Sequence, residues 1–183
     1  MKNSWLIVLS FSILLFSGCL TTDKNKNKSD KNIETHIADL NGDMMPETIE
    51  IENRFQTDGN SVIKIIKGKK DKKAEPKICT FTVPGYFKRV EFVDLNEDGF
   101  KQVAIYYDTE DNHINLGIYK IKNDRAIKIF SASSACDIET DFSSLLARVK
   151  VGKGKDGTDD CSSGTGGYWD VWVYTGEKFI KEK

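Results

Sequence analysis

Hydropathy alternates with a period of two along most of the chain from Ile33 onward, and this alternation most constrains the fold. In ETIEIEN (47–53), Ile49 and Ile51 point to one side of an extended strand and their polar neighbours to the other. Parallel strands need crossover connections of about a dozen residues or more, usually helical, and no such segment separates the alternating runs. The sequence therefore predicts an all-β, antiparallel fold.

Alternating runs separated by turn residues predict the individual strands. The predicted strands are 47–53, 62–67, 78–83, 89–93, 102–108, 116–122, 126–130, 148–151, 168–174 and 178–181. Asn123-Asp124, between two of these runs, is typical of a two-residue hairpin turn. Only residues 143–149 have a competing helical pattern. Residues 33–183 are too few for a closed propeller of about four or more blades, so we expect a meander, a propeller fragment or a β-sandwich.

The composition excludes several classes of protein. The chain has 27 Lys and Arg against 28 Asp and Glu, so no basic excess points to a nucleic-acid partner. Hydrophobic residues make up 39% of the 183 residues, which is enough for a core. The single long apolar run, 5–16, is shorter than the span of about 20 residues that crosses a bilayer. A multi-span membrane protein is therefore excluded.

The N-terminus has the pattern of a secretory signal. Lys2 precedes the apolar run 5–16, and small residues then lead to Cys19. The run LFSGC (15–19) resembles the bacterial lipobox, with Phe16 in place of the usual aliphatic residue. The resemblance implies cleavage before Cys19 and attachment of a diacylglycerol to its sulfur. A plain signal peptide with a chance cysteine and an uncleaved anchor are the alternatives.

These signals predict three regions. Residues 1–18 are a lipoprotein signal peptide, and 19–32 are the lipidated cysteine followed by a polar, disordered tether. Residues 33–183 are a single β domain. The protein is then anchored to a bacterial cell envelope by its lipid. Leu20 follows the cysteine, and the resemblance to lipoproteins then favours the outer membrane where two membranes are present.

Two acidic loops occupy equivalent places in a weak internal repeat, 36–53 and 91–108. Each loop has oxygen donors at positions 1, 3, 5 and 9. These residues are Asp39, Asn41, Asp43 and Glu47 in the first loop, and Asp94, Asn96, Asp98 and Gln102 in the second. Calcium takes six to eight oxygen ligands, and alternate donors on a tightly curved loop can converge on one ion.

The motif resembles the calcium loop of integrin-type FG-GAP and VCBS repeat proteins. The resemblance implies a structural Ca²⁺ in at least one loop. Each loop departs from the pattern once, because Met44 replaces the turn glycine and Gln102 replaces the closing acid. The alternative is a pair of acidic turns that bind no metal, since Asp and Asn favour turns in any case.

Three cysteines remain once Cys19 is lipidated, and export allows them to form a disulfide. Cys136 and Cys161 lie in polar, loop-like segments, so we expect them to pair. Cys79 lies in an alternating strand, where a buried free thiol is expected. The other two pairings remain open from sequence alone.

Near the C-terminus, small residues precede the aromatic strand 168–174. This segment carries a fainter resemblance to periplasmic lysozyme inhibitors, which enter the lysozyme cleft with a Ser-Gly-x-x-Tyr loop. The resemblance implies that Ser163, Gly164 and Tyr168 bind a partner, although this sequence has one extra residue. A flexible hairpin loop is the alternative.

No catalytic constellation stands out, and the only two histidines, His36 and His113, lie far apart in the sequence. We therefore expect a protein that is not an enzyme. The main hypothesis is a lipid-anchored, calcium-stabilised β-domain that binds proteins or other components of the envelope. The alternative is an inhibitor or immunity protein against a lysozyme-like peptidoglycan hydrolase.

Overall fold

Twelve antiparallel strands make up most of the described part of the chain. The computed structural model describes residues 33–54, 58–68, 78–143, 146–154, 161 and 167–183. The strands are β1 (Ile33–Ala38), β2 (Glu47–Asn53), β3 (Asn60–Ile66), β4 (Ile78–Pro84), β5 (Tyr86–Val93), β6 (Gln102–Asp108), β7 (Ile114–Lys122), β8 (Arg125–Ser134), β9 (Ile138–Asp141), β10 (Arg148–Lys153), β11 (Tyr168–Tyr174) and β12 (Phe179–Lys181). They belong to one compact unit, Lys31–Lys183.

The strands form three four-stranded sheets, each built from consecutive strands. Sheet 1 contains β1 to β4, sheet 2 contains β5 to β8, and sheet 3 contains β9 to β12. Every pairing within a sheet is antiparallel. This arrangement confirms the predicted all-β, antiparallel class, with each sheet an open meander.

Sheet 2 lies between the other two and has both faces buried. On β6, Val103, Ile105 and Tyr107 pack with sheet 1 in one hydrophobic core. The intervening Ala104 and Tyr106 pack with sheet 3 in a second core. Alternate side chains of a strand point to opposite faces, so a sheet covered on both sides has strands that read as continuous apolar runs. The β6 sequence, QVAIYYD, has this character.

The structure confirms one predicted hairpin and adds two strands, β1 and β9, to the ten predicted ranges. Asn123 and Asp124 have φ of 51° and 61°, as this type of two-residue turn requires, and they connect β7 to β8. The alternation does not predict β9, because this strand has only four residues and buries a single large apolar side chain, Ile138. In the competing segment 143–149, the last two residues already belong to β10.

The cysteines have two different environments. Cys136 and Cys161 form a disulfide, with their Cα atoms 5.3 Å apart, and this is the pairing that we expected. It joins the connection between β8 and β9 to the segment that precedes β11. Cys79 is free and buried in the core between sheets 1 and 2. Burial raises the pKa of its thiol, which favours the neutral form.

Several predicted features lie outside the described residues. They are the signal peptide (1–18), Cys19 with its tether (19–32), Ser163 and Gly164. Within the part of the chain that the structure describes, no helix is long and apolar enough to cross a membrane.

Candidate functional site

The two acidic loops connect the first two strands of sheets 1 and 2. The first loop (39–47) follows β1 and ends at the first residue of β2, and the second loop (94–102) stands in the same relation to β5 and β6. The loops lie against each other. A Cβ atom placed on Gly42 would be only 3.1 Å from the carbonyl oxygen of Gly99. The fold therefore brings the two predicted sites together.

The aspartate at position 1 closes each loop in the same way. Asp39 Oδ2 accepts a hydrogen bond of 2.9 Å from the Met44 amide. Asp94 Oδ2 accepts the equivalent bond, 2.8 Å long, from the Gly99 amide. Each bond links positions 1 and 6, so the turn is held by a carboxylate in both loops.

The aspartate at position 5 repeats this equivalence. Asp43 Oδ1 accepts a bond of 2.8 Å from the Met45 amide, and Asp98 Oδ1 accepts one of 2.9 Å from the Phe100 amide. These are Asx turns, in which a short acidic side chain bonds the backbone two residues ahead. The residues predicted as metal ligands therefore also shape the loops.

Position 9 pins the beginning of each loop to the sheet. Glu47 Oε2 accepts a bond of 2.8 Å from the Leu40 amide, and Gln102 Oε1 accepts one of 3.0 Å from the Leu95 amide. Glu47 is 2% exposed and Gln102 is 1% exposed. Buried polar groups must be hydrogen-bonded, and this pair meets that requirement with the same backbone group in each loop.

The backbone has the same shape in both loops, although the glycines are exchanged. Positions 4 and 6 have positive φ, at 68° for Gly42 and 62° for Met44 in the first loop. The second loop has 55° for Glu97 and 82° for Gly99. Each loop thus contains one glycine and one residue with a side chain in the left-handed region, where a side chain costs roughly 1–2 kcal/mol. Met44, which replaces the turn glycine, therefore has the left-handed conformation, and Glu97 has it in the second loop.

The remaining side-chain bonds differ between the loops. Asn41 Nδ2 donates to Glu47 Oε1 over 2.8 Å. In the second loop, Asn96 Nδ2 instead donates to Asp98 Oδ2, also over 2.8 Å. Gln102 Nε2 donates to the carbonyl oxygen of its own loop at position 7, over 2.8 Å. The amide of Gln102 therefore satisfies one acceptor and one donor of the loop without any charge.

The carboxyl group of Glu47 is in an environment that disfavours its ionised form. Burial raises the pKa of its carboxyl, and the carboxylates of Asp43 and Asp39 raise it further. The bond from the Leu40 amide acts in the opposite direction. The donors to this carboxyl, the amides of Leu40 and Glu47 and the Asn41 side chain, are neutral, and burial outweighs them, so the negative charge is disfavoured here.

The donor set has the chemistry that calcium prefers. Carboxylate, amide and backbone oxygens are hard ligands of the type found in calcium loops. The carboxylates of Asp39 and Asp43 are turned toward backbone amides. Within the described residues, no three His, Cys, Asp or Glu side chains lie close enough together to hold a metal ion. The residues fit calcium by ligand type, and their present geometry is that of loops closed by internal bonds.

Of the predicted partner-binding residues Ser163, Gly164 and Tyr168, the structure describes only Tyr168. Tyr168 is the first residue of β11 and is 48% exposed. The two other members of the predicted partner loop, Ser163 and Gly164, are outside the described residues. Among the described residues, no hydrogen bond or ion pair joins Tyr168 to the acidic loops.

Sequence reasoning also missed a concave region between sheets 2 and 3, centred on Arg89 and Tyr106. Neither residue belongs to a motif. An irregularity in the pairing of β5 with β6 turns Arg89 to the same face as Tyr106. The alternation of hydropathy does not predict this irregularity.

Comparison with known proteins gave no match to any family model, to any curated protein or to any solved structure. Polar side chains converge in the acidic loops and in the region around Arg89.

Proposed function

We propose that this chain is a calcium-stabilised β-domain, anchored by lipid to a bacterial cell envelope, that binds proteins or other envelope components. One observation carries the calcium part of the proposal. The two loops share their closing hydrogen bonds and their positive-φ positions, and they meet where Gly42 approaches Gly99. Two chance acidic turns have no reason to agree in this detail.

In the first loop, Asp39, Asn41, Asp43 and Glu47 would hold the ion, and their counterparts would do so in the second. A bound calcium ion would supply positive charge next to clustered carboxylates. The gain is larger in the first loop, because Glu47 is buried beside two other acids. Extracellular calcium modules of modest charge have dissociation constants of about 10⁻⁴–10⁻³ M, and we expect this range.

The lipid anchor rests on Cys19 and the lipobox-like run that ends with it. Two or three acyl chains on one residue hold a protein at a membrane far better than a single chain. Growth with a labelled fatty acid tests this part. The label should enter the natural protein and should be absent from Cys19→Ser. Normal labelling and membrane fractionation of Cys19→Ser would contradict the anchor.

Thermal unfolding of the full-length protein in detergent tests the calcium part. Ligand binding to the folded state adds RT ln(1 + [Ca]/Kd), about 2.7 kcal/mol at a hundredfold excess over Kd. The melting temperature should rise in millimolar calcium relative to chelator, and Asp39→Ala with Asp94→Ala should abolish the difference. Asp58→Ala is the matched control, because Asp58 makes the same kind of turn outside both loops. Identical curves in calcium and chelator would refute a stabilising ion.

A second candidate function is inhibition of a lysozyme-like peptidoglycan hydrolase. One observation favours it: the Cys136–Cys161 disulfide fixes the chain two residues before Ser163, and Tyr168, the last residue of the predicted partner loop, is half-exposed. Fixing the base of a loop lowers the ordering cost of binding. Turbidity of peptidoglycan with a panel of muramidases tests this candidate, with Ser163→Ala plus Tyr168→Ala as the variant. Inhibition of none of them would exclude it.

A further inference from the structure

A groove of about 800 Å³ opens between sheets 2 and 3, away from the residues of the acidic loops. Strands β5, β6 and β7 of sheet 2 form one wall, and β9 with the residues on either side of it forms the other. Beyond the groove, the same two sheets pack together in a hydrophobic core. The groove therefore lies where sheets 2 and 3 meet, beside their shared core.

A β-bulge in β5 places the groove's polar residues. Phe87 pairs with Tyr107, and the next paired residue is Arg89, opposite Tyr106, so Lys88 is the extra residue. A bulge changes which face of the sheet the following side chains point to. From here onward, Arg89 and Glu91 share a face with Tyr106, on the side of sheet 3. With regular pairing, Lys88 would lie opposite Tyr106 and Arg89 would face sheet 1.

The floor of the groove is a fixed polar pair. Tyr106 is 3% exposed, and its hydroxyl lies 2.7 Å from Thr140 Oγ1 on β9, which links the two sheets. The guanidinium Cζ of Arg89 lies 3.9 Å from the centre of the Tyr106 ring. Burial raises the pKa of the Tyr106 hydroxyl, so this group stays neutral and protonated.

The charges of the β5 and β6 wall are paired within the wall. Lys88 Nζ lies 2.8 Å from Asp108 Oδ2, and Arg89 Nε lies 3.4 Å from Glu91 Oε1. These pairs set donors and acceptors side by side with no net charge.

The opposite wall adds two carboxylates near β9. Glu139 pairs with Lys150 over 3.3 Å, and Asp137 accepts a bond of 2.7 Å from the Ile138 amide. A cation entering the groove would meet Lys88 and Arg89, and an anion would meet these acids. Three of the four carboxylates of the groove are paired with a cation, Lys150 included, so the excess is one negative charge, that of Asp137, and neither a cation nor an anion is strongly attracted.

We propose that this groove binds a neutral, polyhydroxylated ligand, an oligosaccharide chain. Sugar hydroxyls both donate and accept, so adjacent hydroxyls can bond to both members of a Lys–Asp or Arg–Glu pair. Ile114 and Phe142 also line the groove and offer apolar surface to the C–H faces of sugar rings. An open groove admits a chain that is longer than the site itself. The site goes beyond the proposed calcium function and does not require the ion.

Calorimetric titration of the full-length protein, in a detergent without sugar headgroups, tests the proposal. The neutral probes are chitohexaose, cellohexaose and maltohexaose, and the charged probes are hexalysine and hexagalacturonate. At least one neutral probe should bind saturably, with an affinity that salt hardly changes, because no ionic contact is screened. Calcium and chelator should give the same affinity, so the outcome is separate from that of the melting experiment.

Variants then locate the binding. Arg89→Ala should weaken binding at least about tenfold, the effect of losing a hydrogen bond to a charged group. Thr140→Val keeps the shape of the side chain, removes the hydroxyl at the floor and should weaken binding less. Arg125→Ala, an exposed arginine in the β7–β8 hairpin, is the matched control and should bind as the natural protein does. No binding of any neutral probe, stronger salt-sensitive binding of a charged probe, or equal affinity of Arg89→Ala and Arg125→Ala would overturn the proposal.

Discussion

The first and second acidic loops share a backbone but differ at one buried side chain. Glu47 and Gln102 both bond the amide of a leucine at the beginning of the loop. The glutamine does so as a neutral group, whereas the glutamate brings a charge that burial and two aspartates disfavour. The comparison separates two roles of position 9: holding the loop to the sheet needs only an oxygen, and attracting a cation needs the charge.

The largest effect should come from removing the oxygen in either loop. Glu47→Leu and Gln102→Leu each leave a buried leucine amide without its acceptor, which costs about 1–3 kcal/mol. Urea unfolding in chelator should show a similar loss for both variants. Ile127→Leu, at an exposed position on β8, is a control that should change little. A loss of stability in only one variant would show that position 9 does not hold both loops to their sheets in the same way.

The next effect concerns the charge alone. Glu47→Gln copies the second loop, where the glutamine bonds both the leucine amide and the position-7 carbonyl. In chelator, its stability should stay within about 1 kcal/mol of the natural protein, because the pinning bond survives. The rise in melting temperature on adding calcium should become smaller.

The reciprocal change, Gln102→Glu, should increase the calcium response. Opposite responses of these two variants would show that the charge at position 9 contributes to calcium binding. A calcium response that neither exchange alters would show that position 9 takes no part in binding the ion.

A third test uses pH in chelator. Glu47 has a raised pKa in the folded state against the usual value of 4.5, so the folded protein takes up this proton before the unfolded chain does. On acidification through the folded pKa, the natural protein should therefore gain stability relative to Glu47→Gln, and the gain should be complete below about 4.5. The difference between the two urea midpoints measures it. A difference that shrinks on acidification would contradict the assigned direction.

The smallest effect should come from the exchanged glycines. Met44→Gly and Glu97→Gly each remove a side chain from a positive-φ position. The relief of about 1 kcal/mol is partly offset by the greater freedom of glycine in the unfolded chain, so each net change should be below about 1 kcal/mol. Met45→Gly has no such relief and should destabilise. Stabilisation in one loop and destabilisation in the other would show that the two backbones are not energetically equivalent.

Sequence predicts those parts of the molecule whose conformation depends on residues that are close together in the chain. Alternation predicts strands such as β2, and Asn123-Asp124 predicts its hairpin, because both depend on near neighbours in the chain. The loop residues were also predictable from their spacing. The bulge at Lys88 was not predictable, because it arises from the pairing of β5 with β6. No pattern in the sequence therefore marked Arg89 and Tyr106 as neighbours. Short β9 depends in the same way on its partner, β10.

The middle position of sheet 2 also bears on how the chain emerges during synthesis. Sheets 1 and 2 are complete before β9 exists, and their shared core can then form. The other face of sheet 2, with Leu116, Ile118 and Phe130, has no cover at that stage. Exposed apolar surface on a partly made domain invites aggregation. A polypeptide that ends between β8 and β9 should therefore aggregate through this exposed face. Sheet 3 prevents such aggregation by covering the face once it has formed.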